Sequence, residues 1–76
     1  MKNIALASRT KMEIRFAKNL RSLRKSKGLS QKELADIVGV DQRTVSAWEN
    51  NVAEPSFDML AKLCEIFNET YDGLLG

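Results

Sequence analysis

The sequence predicts an all-α bundle of short helices. Capping signatures recur at short intervals, and the apolar residues between them return with a period near 3.6. No stretch alternates β-branched and polar residues over the length of a strand.

The first helix opens at a Thr10/Glu13 capping box, carries an apolar stripe of Ile14, Phe16, Ala17, Leu20 and Leu23, and is closed by Gly28. Ser30 and Glu33 repeat the device. The short second helix they start buries Leu34, Ala35 and Val38 and stops at Gly39. Asp41 can cap a third helix from Gln42 to about Asn50, because its carboxylate accepts from the first free amides and suits the positive end of the dipole. Asn51 tolerates the left-handed conformation that ends such a helix. After the connection through Pro55, Ser56 caps a fourth helix with Leu60, Leu63, Cys64 and Phe67 as its core face. Asn68 closes it, and Thr70 opens a last short helix with Tyr71, Leu74 and Leu75. Residues 1–9 are assigned to a basic arm or frayed end, and residues 10–76 to one domain. Ile66, Tyr71 and Leu74, like Met12 and Phe16, suit either core or a partner surface.

Seventy-six residues suffice for one domain that buries about 60% of its unfolded surface, so the stability margin is thin. With 43% hydrophobic and 29% charged residues the composition is that of a soluble globule, and no apolar run reaches the ~20 residues of a membrane span. A cytoplasmic location is the expectation. The single Cys64 has no disulfide partner, and without histidine no familiar zinc site can form. It reads as a small hydrophobe more readily than as a reactive thiol. Phosphate-gripping glycine loops, nucleophile–histidine pairs and clustered ligands are all missing, so neither an enzyme nor a metal, cofactor or small-molecule site is expected.

Charge is segregated along the chain. Residues 1–32 hold ten Lys or Arg and only Glu13, whereas residues 33–76 hold Arg43 and Lys62 against nine Asp or Glu. Such polarity fits a basic face for nucleic acid and an acidic face turned away, although it also fits a solvated helix surface.

Between the second and third helices stand only Gly39, Val40 and Asp41, so two short helices must cross steeply through a three-residue turn. A small residue is needed where they approach, which Ala35 supplies, and Gly39 accepts the positive φ of the turn. Val40 and Val45 plug the wedge, with Leu34, Val38 and Trp48 at the other inward positions. If Val45, Trp48 and Glu49 point inward, then Arg43, Ser46, Ala47 and Asn50 occupy the opposite face. Gln42 and Arg43 lie in the first turn, where glutamine can read adenine and arginine can grip guanine through two hydrogen bonds. Ala47 suits a thymine methyl and Ser46 a base or water-mediated contact, while Thr44 and Asn50 suit phosphate oxygens. Trp48 has a second reading as a stacking platform for single strands, but an inward position without aromatic neighbours favours core.

The segments Leu29-Ser30-Gln31-Lys32-Glu33-Leu34-Ala35, Gly39-Val40, Thr44-Val45-Ser46-Ala47-Trp48-Glu49-Asn50 and Pro55-Ser56 resemble the Cro/repressor-type (Xre family) helix-turn-helix regulators. The resemblance covers residues 13–76. It implies a five-helix lambda-repressor-like domain, usually dimeric on double-stranded DNA, with its third helix in the major groove. It also implies a phosphate contact for Gln31, beside which Lys32 is assigned to the same backbone, and a structural pairing of Arg24 with Glu49. Asn51 and Asn68 stand where glycine is usual, and Glu69 where an apolar residue is common. The expected role is a homodimeric repressor on a palindromic operator. The alternative is a protein-interaction module, such as an antitoxin subunit or co-regulator, docking a partner through its acidic half.

Overall fold

The computed structural model describes the backbone of residues 11–76 and the side chains of residues 15–76. The chain forms α1 (Lys11–Ser26), α2 (Gln31–Val38), α3 (Gln42–Glu49), α4 (Phe57–Phe67) and α5 (Tyr71–Leu75), with no strand among the described residues. This is the expected all-α, lambda-repressor-like architecture. The arm at 1–9, the side-chain contacts of the Thr10/Glu13 box and the side chains of Met12 and Ile14 lie outside what is described.

Every predicted cap from the second helix onward is formed. Ser30 accepts from the Glu33 amide at 3.0 Å while the Glu33 carboxylate accepts from the Ser30 amide at 2.8 Å, so two otherwise orphaned donors are satisfied reciprocally. Asp41, Ser56 and Thr70 accept from the amides of Arg43, Met59 and Gly73. The helix ends share a device too. Gly28, Gly39, Asn51 and Asn68 take positive φ of 70°, 81°, 62° and 53°. In each case the next amide, of Leu29, Val40, Val52 or Glu69, donates back to the carbonyl five residues earlier. That is the Schellman arrangement, and it turns the chain sharply enough for short helices to pack on one another.

The core is one cluster. Phe16 and Leu20 of α1, Leu34, Ala35 and Val38 of α2, Val45 and Trp48 of α3, Leu60, Leu63 and Phe67 of α4 and Leu74 of α5 are buried together. Leu23, Leu29, Val40, Met59, Cys64, Ile66 and Leu75 close it from the side. Cys64 departs from expectation: it is only half-buried, because it sits at the edge of the α4 face that Leu60, Leu63 and Phe67 bury. Burial, with the charge of Glu69, still pushes its thiol pKa up, which keeps it protonated. Of the residues left between core and surface, Leu74 is fully buried and Phe16 nearly so, Ile66 is partly buried, and Tyr71 is half exposed.

No described helix is long and apolar enough to cross a membrane.

Candidate nucleic-acid interface

The site begins with what holds α3 in place. Val45 and Trp48 are in the core, and Glu49 sends its carboxylate under α1 with no exposed side-chain surface. There it meets Arg24 in a two-pronged pair, Nε to Oε2 at 2.6 Å and Nη2 to Oε1 at 3.0 Å. The third prong, Nη1, donates to the Leu29 carbonyl at 2.8 Å, so the guanidinium also ties the α1–α2 turn. Burial pushes the Glu49 carboxyl up, but hydrogen bonds from Arg24 and Gln31 and the charges of Arg24 and Arg21 outweigh it and hold the group below the usual carboxylate range. Arg24 is correspondingly raised, chiefly by its hydrogen bond to Glu49. A planar fork matched to a carboxylate fixes orientation as well as distance, so α3 is locked in rotation about its axis.

Two members of this cluster were not foreseen. Gln31 donates from Nε2 to Glu49 Oε1 at 3.2 Å, so the residue assigned to phosphate also buttresses α3 from the start of α2. Arg21 brings Nε within 3.6 Å of the same oxygen while half of its side chain stays in solvent. Its place one turn before Arg24 on α1 was the available signal, since residues three apart share a helix face.

With its inner face clamped, α3 offers the opposite side to solvent. Gln42, Arg43 and Asn50 are exposed, and Thr44, Ser46 and Ala47 are half-buried along the rim of the same face. Arg43 is the most prominent, with 92% of its side chain exposed. Asn50 folds back, donating from Nδ2 to the Ser46 carbonyl at 2.9 Å and to its hydroxyl at 3.1 Å. It therefore caps the end of α3, and the helix closes at Glu49 rather than at Asn50. Lys32 is exposed on the first turn of α2 and lies 3.5 Å from Asp36, a solvent-exposed pairing that an anion can displace at little cost.

A helix whose first turn carries a glutamine and an arginine in solvent, braced by a second helix that exposes Lys32 at its start, can insert that turn into a groove about 12 Å wide and meet base edges there. Among the described residues no group of His, Cys, Asp and Glu could hold a metal ion.

Comparison with known proteins agrees with this geometry. The family described as Helix-turn-helix (HTH_3) matches residues 20–74. The chain is 37% identical over 61 residues to the antitoxin PezA of Streptococcus pneumoniae serotype 4, covering 80% of this chain and 39% of that protein. It is 39% identical over 57 residues to the HTH-type transcriptional regulator AnsR of Bacillus subtilis strain 168, covering 75% and 49%. The chain thus spans about half the length, or less, of these relatives. Among solved structures, the SOS-response transcriptional repressor LexA from Eubacterium rectale superposes with a TM-score of 0.82 at 26% identity, over 91% of this chain and 73% of that one. Hydroxypropylphosphonic acid epoxidase from S. wedmorenis superposes at 0.77 and 25% identity, over 84% of this chain but 34% of the enzyme, so the same helical unit also occurs as part of a larger catalytic protein. The chain belongs to the Xre-type helix-turn-helix family of DNA-binding transcription regulators.

Proposed function

We propose that this chain is a sequence-specific regulator of transcription that binds a palindromic operator in double-stranded DNA as a homodimer and represses by occupying it in the cytoplasm. Gln42, Arg43, Ser46 and Ala47 read base edges, and Gln31, Lys32, Thr44 and Asn50 meet the phosphate backbone. The observation that carries this reading is the exposure of Gln42 and Arg43 at the start of a helix whose other face is clamped through Glu49. In a symmetric dimer the two recognition helices lie ~34 Å apart, one turn of duplex.

The test is a titration on genomic duplex fragments at several salt concentrations. Binding is expected to be sequence-selective and to weaken as salt rises, because each neutralised phosphate releases counterions. Replacing Gln42 and Arg43 together by alanine is expected to abolish selective binding while leaving helical content and melting temperature unchanged. Retention of selectivity by that double variant overturns the assignment of α3 as the reader.

The likeness to an antitoxin favours a second reading, in which the domain serves chiefly to dock a protein. Among the described residues, Ile37, Val52, Phe57 and Tyr71 are the exposed large apolar ones. No salt-sensitive affinity for duplex DNA, together with stoichiometric co-purification of a basic protein, decides for it.

A further inference from the structure

The carboxylate that caps α3 has a second bond. Asp41 Oδ1 accepts the Arg43 backbone amide at 2.8 Å, which is the capping contact, and also accepts Nε of the Arg43 side chain at 3.2 Å. Among the described residues no other group takes the guanidinium, and its side chain is otherwise in solvent. An arginine has five donors in a rigid plane. When Nε–H is turned inward to the cap, Nη1 and Nη2 face away from the helix as a pair, which is the fork that matches the O6 and N7 acceptors of guanine.

We propose that Asp41 is a positioning residue for base recognition, holding Arg43 by its Nε so that the two terminal nitrogens are presented to a guanine next to the start of α3. The inference rests on the reading of α3 as the base reader. It assigns to Asp41 a role in specificity that its cap alone does not require. A free arginine side chain surrenders considerable rotamer freedom when it docks, and one already held by Nε surrenders less. The carboxylate also acts on the rest of the DNA. Its negative charge lies close to the phosphates and weakens attachment to every duplex alike, so affinity without the guanine contact is reduced.

Substitutions at this position separate the two roles. Asn and Ser cap helices about as well as Asp, so D41N and D41S are expected to melt within a few degrees of the parent chain. The amide oxygen of Asn can still accept from both the backbone and Nε, whereas the short hydroxyl of Ser keeps only the capping bond. Both variants remove the charge. The experiment is selection from a random-sequence duplex pool by the 76-residue parent chain, D41N, D41S and R43A, followed by titration of the selected duplex and its single-base variants.

The parent is expected to prefer guanine at one position of each half-site, and R43A to lose that preference. D41S should reduce the preference by about threefold to tenfold, the effect of freeing one long side chain. D41N should retain it within about twofold. Both should bind unselected duplex more tightly and to a similar degree. If D41S keeps the parent's preference while R43A loses it, the positioning role is overturned and Asp41 is a cap alone. If the parent selects no sequence, or R43A leaves the guanine preference in place, the reading of α3 itself fails and the positioning role with it.

Discussion

Glu49 is the residue on which the interface turns. Its carboxylate is enclosed and gathers Arg24 and Arg21 from α1 and Gln31 from α2, so removing it leaves Arg24 buried without a counter-charge. Leaving one member of a buried pair unpartnered typically costs about 3–5 kcal/mol, a large part of the margin of a domain this small. Glu49→Ala is therefore expected to be largely unfolded at 37 °C by circular dichroism. Replacing Arg24 and Glu49 together by methionine should recover much of the loss, since a packed apolar pair carries no desolvation cost. A double variant no more stable than Glu49→Ala argues that the ion pair itself, rather than the orphaned charge, is what matters. The depressed pKa of Glu49 adds a pH signature. A carboxylate held below its unfolded value stabilises the fold above that value, near pH 4.5, and the contribution is lost as pH falls through the lower, folded value. Stability should decline on acidification below about pH 4.5, and a Glu49→Gln chain that still folds should show a shallower decline.

At the scale of the helices, the sequence carries its own punctuation, because caps and left-handed closures are local. Ser30/Glu33, Asp41, Ser56 and Thr70 needed only a neighbour two or three residues on, and Gly28, Gly39, Asn51 and Asn68 needed only a tolerance for positive φ. The inward face of α3 was legible for the same reason, a 3.6-residue period fixed by Val45 and Trp48. What was not legible depends on tertiary approach. The bond from Gln31 to Glu49 joins residues 18 apart, and nothing near Gln31 marks it. The half-exposure of Cys64 is set by where α4 meets its neighbours, which a period cannot show at the edge of a stripe. The second bond of Asp41 is local but depends on the side-chain rotamer of Arg43. Gly39 offers the test of punctuation itself. At φ 81° a side chain is strained, yet a Cβ there would meet nothing within 4 Å, so the penalty is purely conformational. Gly39→Ala is expected to cost roughly 1–2 kcal/mol and to lower the melting temperature by about 5–10 °C. A variant melting with the parent indicates that the α2–α3 turn can relax to negative φ, and then the turn does not set the crossing of the two helices.

For the molecule as a whole, the question is how a five-residue helix stays folded at all, since segments so short do not form helices alone in water. The answer lies in α1. Leu74 is completely buried in the common core, and the carbonyl end of α5 is satisfied by side chains from α1: Asn19 donates to Leu74 O at 3.0 Å, and Arg15 to Gly76 O at 3.0 Å. These bonds bridge residues 55 and 61 apart, so they close the bundle by joining its last helix to its first. The same α1 carries Arg24, so a single helix connects the C-terminal closure with the clamp that orients α3. Cooperative unfolding of both ends follows from that arrangement. Leu74→Ala removes a buried side chain at the far end and is expected to cost about 2–5 kcal/mol, against about 0.5–1.5 kcal/mol for Asn19→Ala, which removes the bond to Leu74 O and a longer one, at 3.5 Å, to Gly73 O. In urea, both variants should shift the midpoint monitored by Trp48 fluorescence and by helical signal together, with little change in the slope. If Leu74→Ala melts α5 alone, with Trp48 reporting the parent's midpoint, then α5 is a separable appendage and α3 is held by the Glu49 cluster without it.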